Sequence, residues 1–263
     1  MSHVIAVSNQ KGGVGKTTTT VNVAACLADA GHPTLLVDLD PQGNASSGLG
    51  LPKEEQDMGI ADVLLGFREL RSVLRPTALD NLHLAPATPA LVGVEVELTS
   101  AEGRERRLAE ALREAQLDYD FILMDCPPSL GFLTVNAFAA SDGVLIPVQA
   151  EYYAMEGLGD LLRTMVQVQR GLNPKLRREG IVLTMLDTRN NLCRTVEEQV
   201  RGVFKGEVFQ ASIPRNVRLG EAPSHGKPIV AYDPDCAGAK AYQALATEII
   251  ARHPRPKSLQ EAS

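Results

Sequence analysis

Short apolar runs alternate along the chain with longer stretches in which apolar residues recur every three or four positions. Runs of the first kind occupy residues 3–8, 33–38, 82–85, 119–125, 143–148, 180–186 and 207–213, and they predict strands. The helical period fits residues 16–30, 103–116, 131–140, 154–170, 194–204 and 236–252. Several strand runs, Phe121-Ile122-Leu123-Met124 among them, are apolar at consecutive positions, as a strand covered by helices on both faces requires. The alternation of strand and helix therefore predicts an α/β fold with a doubly wound, mostly parallel sheet flanked by helices, and it puts ligands beyond the carboxyl ends of the strands. No internal repeat interrupts the pattern. The expectation is one domain over residues 1–252, followed by a disordered tail at 253–263 that contains Pro254 and Pro256.

Composition agrees with this reading. A chain of 263 residues, 44% hydrophobic and 22% charged, can bury one large core. Cys26, Cys126, Cys193 and Cys236 are scattered without a CxxC pair, so neither a zinc framework nor a disulfide scaffold is indicated and reduced thiols are expected. The N-terminus has no basic-then-apolar leader and no run of 18 apolar residues occurs, so a cytoplasmic protein is expected. The net charge of −6 hides an asymmetry: from Arg163 to Lys227 there are 12 Lys and Arg against 6 Asp and Glu.

Between the first strand run and the first helical run stands Lys11-Gly12-Gly13-Val14-Gly15-Lys16-Thr17-Thr18. Convergence of several backbone N–H groups on a polyphosphate leaves no room for Cβ atoms, and the glycines remove them. Lys16 then offers a cation to the β- and γ-phosphates and Thr17 a hydroxyl to Mg²⁺, while the following helix aims its free N–H groups at the same anion. Two further acids close strand runs. Asp40, in Asp38-Leu39-Asp40-Pro41-Gln42-Gly43, is the candidate for orienting an attacking water and for the outer shell of Mg²⁺; the bland alternative is a turn cap. Asp125, closing Phe121-Ile122-Leu123-Met124, is the candidate Mg²⁺ acid, directly or through water.

The usual phosphate-loop pattern begins with glycine five residues before Gly15, where this chain has Gln10, and it lacks the early Lys11. In this the loop resembles the deviant Walker A group of P-loop ATPases, which includes the ParA/Soj partition proteins, MinD and the nitrogenase iron protein. KGGVGKTTTTVN, LLVDLDPQGNASSGLG, YDFILMDCPPSLG, Pro147-Val148-Gln149-Ala150-Glu151 and IPRNVRLGEAPSHGKPIVAYDP together resemble the small chromosomal ParA/Soj members from residue 3 to about 252. The resemblance implies an Mg²⁺-dependent ATPase with weak basal turnover. It implies that Lys11 reaches across an ATP-bound homodimer to the partner's nucleotide. Lys11, Gly12, Gly13, Val14, Gly15, Lys16, Thr17 and Thr18 would bind nucleotide and Mg²⁺, Asp40 would assist hydrolysis and Asp125 would be the Walker B acid. The implied partners are non-specific double-stranded DNA and a ParB-like centromere-binding protein, and the implied location is the nucleoid. Since the chain begins on its first strand, an N-terminal helix-turn-helix domain for specific operators is not expected.

For DNA, the candidates are Arg189, Arg215 and Arg218 in loops, with Lys205, Lys227 and Lys240. Few aromatics accompany them and no recognition helix is apparent, so phosphate contact without base readout is expected. Met185, Asp187 and Pro214 are placed on loops that could flank adenine. Competing readings are weaker. The proline-broken segment Ala251-Arg252-His253-Pro254-Arg255-Pro256 offers no amphipathic membrane helix, and Cys126 lacks a partner for an iron–sulfur cluster. The alternative from another class is a MinD-like positioning or scaffold ATPase that does not bind DNA.

Overall fold

The computed structural model describes residues 2–151, 158–187 and 189–254. Eight strands form one sheet: β1 His3–Val7, β2 Thr34–Asp38, β3 Arg75–Pro76, β4 Leu82–Ala85, β5 Phe121–Asp125, β6 Gly143–Gln149, β7 Arg177–Leu186 and β8 Val208–Pro214. Their order is β3-β4-β2-β5-β1-β6-β7-β8, and every pairing is parallel except the short antiparallel one between β3 and β4. The doubly wound, mostly parallel sheet read from the alternation is therefore the fold.

Burial explains the consecutive apolar runs. Within β1, Val4 and Ala6 belong to one apolar cluster while Ile5 and Val7 belong to the other. Leu108 and Leu112 of the Arg107–Ala115 helix, Phe138 of the Phe132–Ala140 helix and Leu161 of the Leu158–Gly171 helix join the first cluster. Val23 and Leu27 of the Lys16–Asp29 helix join the second, as do Tyr242 and Leu245 of the Ala237–Arg252 helix. A sheet sealed on both faces in this way has only its strand ends available for chemistry.

The differences from the sequence expectation are local. The stretch expected to be helical over 103–116 opens with Gly103 in a left-handed conformation (φ 68°) and a 3₁₀ turn at Arg104–Arg106 before Arg107–Ala115. The helix expected from 194 starts at Asn191, because the Asn190 side chain caps it by accepting from the Leu192 N–H at 2.9 Å. β7 starts at Arg177, since Arg177 and Arg178 still pair with Gly143 and Val144 of β6. The first residues of the helix expected over 154–170, and residues 255–263 of the expected tail, lie outside the described residues.

One consequence of the strand order positions the site. β1 lies between β5 and β6, and the chain leaves β1 toward a helix on one face while its neighbours connect to the other. A crevice opens at such a reversal beyond the carboxyl ends of the strands, and residues 8–15 fill its floor.

Candidate nucleotide site and the basic edge beside it

Residues 8–15 are tied down from outside. Ser8 N–H donates to the Leu145 carbonyl (3.1 Å), and buried Asn9 donates through Nδ2 to the Pro147 carbonyl (2.7 Å) while its Oδ1 accepts from Lys11 N–H (3.0 Å). Thr184 of β7 donates to the Val14 carbonyl (2.9 Å). Gly13 (φ 74°) and Gly15 (φ 84°) hold left-handed conformations that L side chains rarely adopt. An added Cβ on Gly12 or Gly13 would meet nothing within 4 Å, so the face of the loop that these glycines line is open. Gly15 precedes the Lys16–Asp29 helix, which receives no side-chain cap, and its first N–H groups remain directed at this open face.

Charge is concentrated just below the loop. Lys16 is 7% exposed, and its Nζ donates to the Lys11 carbonyl at 3.2 Å. Burial lowers its pKa, and attraction from Asp125 and Asp40 works against that shift. Thr17 Oγ1 donates to Asp125 Oδ2 (2.8 Å), and Thr20 Oγ1 lies 2.9 Å from Asp125 Oδ1. Asp40 is buried, and its Oδ1 accepts from Gln42 N–H at 2.9 Å, so it caps its turn while facing the lysine. A hydroxyl with two carboxylates is an all-oxygen set suited to Mg²⁺, and the glycine cradle with a buried cation suits a polyphosphate.

The sequence reading passed over Asp38. It is fully buried at the end of β2, in register with Asp125 of β5, and accepts from Ser46 N–H (2.8 Å), Ser46 Oγ (2.6 Å) and Asp40 N–H (3.2 Å). Burial pushes Asp38 up to about 6 against the hydrogen bonds from Ser46 and Asp40, and pushes Asp125 up to about 8, helped by repulsion from Asp38 and opposed by hydrogen bonds from Thr17 and Thr20. A carboxyl whose folded pKa is raised stabilises the fold at pH below its unfolded value and loses that stabilisation as pH rises through the folded value. The nucleotide-free, Mg²⁺-free protein is therefore expected to melt at a lower temperature at pH 8.5 than at pH 5.5. Asp38→Asn should flatten the dependence. Equal slopes for the variant and the parent in a pH series of melting curves would show that this pair does not control it.

Lys11 leans away from the loop, and its Nζ pairs with Glu151 Oε2 at 3.1 Å. The expected adenine residues are partly brought together. Met185 and Pro214 line a cavity of about 250 Å³ with Gly15, Thr18 and Tyr242. Met185 holds φ 52°, an unfavourable conformation for a residue with a side chain. Asp187 is not in that cavity; it lines a neighbouring one with Glu151 and Arg215.

The basic residues do not form the single patch that their closeness in sequence suggests. Arg189, Arg215 and Arg218 follow the carboxyl ends of β7 and β8. Lys205 instead follows the Asn191–Val203 helix and precedes β8, at the amino-terminal end of the strands. Arg218 also departs from the loop expected for it: it sits on a short helix, Val217–Glu221, capped by Asn216. Both arginines have acidic partners in their own chain. Arg189 makes a two-pronged pair with Asp187 (3.0 Å for each contact), and Arg218 pairs with Glu221 (2.8 Å) and Asp233 (3.3 Å). Hydrogen bonding from Arg189 holds the Asp187 carboxyl at about 2. Lys227 and Lys240 are exposed, the latter in the first turn of the Ala237–Arg252 helix, whose Gly238 packs on Leu219. Among the described residues the cysteines are free thiols, and Cys126 is buried. No described helix is long and apolar enough to cross a membrane.

Comparison with known proteins adds to this geometry. A family profile described as an AAA domain matches residues 2–178. The chain is 54% identical to a chromosome partitioning protein ParA of Myxococcus xanthus, over 98% of this chain and 91% of the relative. It is 53% identical to the sporulation initiation inhibitor protein Soj of Bacillus subtilis, over 95% and 99%. Among solved structures, a protein from Mycobacterium smegmatis described as cobyrinic acid a,c-diamide synthase, with bound ADP and magnesium, superposes with a TM-score of 0.84 at 37% identity, covering 95% of this chain and 94% of the other. The septum site-determining protein MinD of Pyrococcus horikoshii with Mg-ADP gives 0.77 at 25% identity, over 95% and 96%.

Proposed function

This chain belongs to the ParA/Soj family of chromosome-partitioning ATPases, and we propose that ATP turns it into a homodimer that holds duplex DNA without sequence preference until a ParB-like protein triggers hydrolysis. The observation that carries the reading is the position of Arg189, Arg215 and Arg218 beyond the carboxyl ends of β7 and β8, the end of the sheet that also carries the phosphate loop, with Arg215 lining one cavity together with Gly15 and Thr18.

Within one subunit, the amides of residues 12–17 and the Lys16 ammonium bind the phosphates. Thr17 and Asp125 hold Mg²⁺, directly or through water, with Asp40 in the outer shell. Bound Mg²⁺ compensates the charge that develops on the phosphate oxygens. Asp40 orients the attacking water, and Met185 and Pro214 flank the adenine. Lys11 gives up its contact with Glu151 to reach the partner's nucleotide. The segments 9–18 and 40–50 contain no arginine, which accounts for slow turnover in the absence of an activator.

The dimer presents two sets of Arg189, Arg215, Arg218, Lys227 and Lys240 to one duplex. Lys205, at the amino-terminal end of β8, is not part of this surface. The ion pairs of Arg189 and Arg218 are exposed, hence weak and screened, and phosphates can replace their carboxylate partners. Binding is expected to require ATP and to fall steeply with salt. Arg189→Glu or Arg218→Glu should weaken it about tenfold or more on any sequence and make the salt dependence shallower, with DNA-free turnover unchanged. Anisotropy titrations in ATP, over a salt series and on two unrelated duplexes, give the answer. Unaltered affinity in both variants would take these arginines off the DNA surface. If the parent does not bind DNA at all, the MinD-like positioning reading takes precedence, in agreement with the acidic partners that both arginines already have.

A further inference from the structure

At the amino-terminal ends of the strands, away from the phosphate loop, three side chains from three distant segments meet. His3 opens β1, Glu179 lies in β7, and His253 follows the Ala237–Arg252 helix. Glu179 Oε2 is 2.8 Å from His3 Nε2, and its Oε1 is 2.9 Å from His253 Nε2. The two imidazoles stack with centroids 3.5 Å apart and an interplanar angle of 21°.

The backbone is shaped around this carboxylate. Val144 of β6 pairs with Arg178 but Leu145 pairs with Gly180, so Glu179 is the extra residue of a β-bulge, a device that re-aims a side chain. Opposite it stands Gly143, where an added Cβ would lie 2.9 Å from Glu179 Oε2. Arg252 Nη1 donates to the Glu179 carbonyl at 2.7 Å, fixing the backbone at the same point. The Glu179 side chain is 5% exposed. Burial alone would raise its pKa, yet hydrogen bonds from His253 and His3 hold it down at about 2, so the group is a carboxylate throughout the physiological range.

We propose that His3, Glu179 and His253 form a binding site for a divalent transition-metal ion, with zinc the best fit, which fastens the end of the last helix to the first and seventh strands. One donor atom from each residue lies within 4.8 Å of the other two. Ligands about 2.0–2.1 Å from a tetrahedral zinc stand about 3.3 Å apart, so the two contacts to Glu179 lengthen by a few tenths of an ångström, and the stacked rings turn out of their parallel planes so that both Nε2 lone pairs converge on the ion while each ring keeps its proton on Nδ1. Two imidazoles and one carboxylate favour zinc, copper or nickel over Mg²⁺, which prefers oxygen alone. Asp142 Oδ2, which accepts from the Val4 N–H at 2.9 Å, lies 3.8 Å from His3 Nδ1 on the other side of that ring, a charge near the imidazole without a hydrogen bond to it. A cavity of about 460 Å³ lined by His3, His253 and Asp142 reaches the cluster from solvent; Asp118 and Asp120, also on its wall, pair with Arg71 and His32. From His3 to Val7 the strand runs about 13 Å, which keeps this ion apart from the Mg²⁺ of the nucleotide site.

The test uses the full chain, stripped with a chelator and titrated with Zn²⁺ in competition with a fluorescent zinc indicator, in excess Mg²⁺. One Zn²⁺ per chain is expected, with affinity falling about tenfold or more in His3→Ala, Glu179→Gln and His253→Gln. The last of these keeps a hydrogen-bond donor near Glu179 but no imidazole. Zn²⁺ at a hundred times the parent's dissociation constant should raise the melting temperature of the parent by about 5–10 °C and that of His253→Gln by about half as much or less. Co²⁺ should give visible ligand-field bands in the parent that His253→Gln lacks. Absence of Zn²⁺ binding by the parent, or Zn²⁺ affinity and stabilisation in His3→Ala and His253→Gln equal to the parent's, would overturn the proposal and leave the cluster as an ion-paired clasp.

Discussion

Lys16→Ala is expected to abolish useful ATP binding, whereas Lys11→Ala should leave binding by the monomer largely intact and remove ATP-dependent dimerisation. The two lysines are five residues apart in one loop, yet their surroundings differ. Lys16 is buried between the Lys11 carbonyl and the acids Asp125 and Asp40. Without its charge those carboxylates would face a triphosphate uncompensated, in a medium where charge interactions are poorly screened. A loss of about 100-fold or more in affinity is the expectation, since a single hydrogen bond to a charged group is worth about 1.5–3 kcal/mol before the repulsion is counted. The Lys11 side chain is 35% exposed and pairs with Glu151, itself half exposed. Such a pair contributes about 0–1 kcal/mol, so Lys11→Ala should melt like the parent. Titration with a fluorescent ATP analogue, beside light scattering on a sizing column in ATP and Mg²⁺, separates the two roles. A Lys11→Ala protein that dimerises like the parent would sink the cross-subunit role.

The parts of the fold that sequence shows well are those whose signal is local. Consecutive apolar residues mark β1, β2 and β5 because both faces of the sheet are covered, and the phosphate loop is visible because its strand, glycines, lysine and helix are contiguous. Helices of four or five residues, such as Asn44–Gly48, Ile60–Leu64 and Val217–Glu221, are too short to show a period. Asp38 was missed for another reason. Asp38 and Asp40 look alike in Val37-Asp38-Leu39-Asp40, and only Ser46, which folds back to donate twice to Asp38, and Asp125, two segments away in sequence but adjacent in the sheet, tell them apart. A Ser eight residues after the acid was the available signal, and it is a weak one. Counting charge along the chain grouped Lys205 with Arg215, although β8 runs between them and puts them at opposite ends of that strand. The same linear count could not show that Asp187, Glu221 and Asp233 already pair with Arg189 and Arg218. The bulge at Glu179 is likewise a matter of register, which no local pattern encodes.

Asp40→Ala is expected to slow ATP hydrolysis by about 10²- to 10⁴-fold, the usual worth of a positioned acid–base group, while ATP affinity changes by no more than about threefold. The asymmetry follows from where Asp40 sits. Its Oδ1 is engaged by the Gln42 N–H at 2.9 Å and its backbone N–H by Asp38 at 3.2 Å, so the carboxylate is held in place near Lys16 without being the lysine's hydrogen-bond acceptor. Removing it also removes a negative charge from the neighbourhood of the γ-phosphate. Ground-state binding therefore keeps its lysine and loop amides, and only the step that needs an oriented water suffers. The consequence is an accumulating ATP-bound dimer that keeps its grip on DNA when a ParB-like activator is added. The turn-cap role makes a different prediction. A carboxylate that merely caps residues 40–43 costs about 0.5–2 kcal/mol of stability when lost, as helix caps do, and lowers turnover and affinity together as the loop loosens. Single-turnover hydrolysis, equilibrium ATP binding and a melting curve on the same Asp40→Ala preparation distinguish the two. Near-normal stimulated turnover, or a loss of ATP affinity matching the loss of rate, would remove Asp40 from the chemistry and leave it as a residue of the turn.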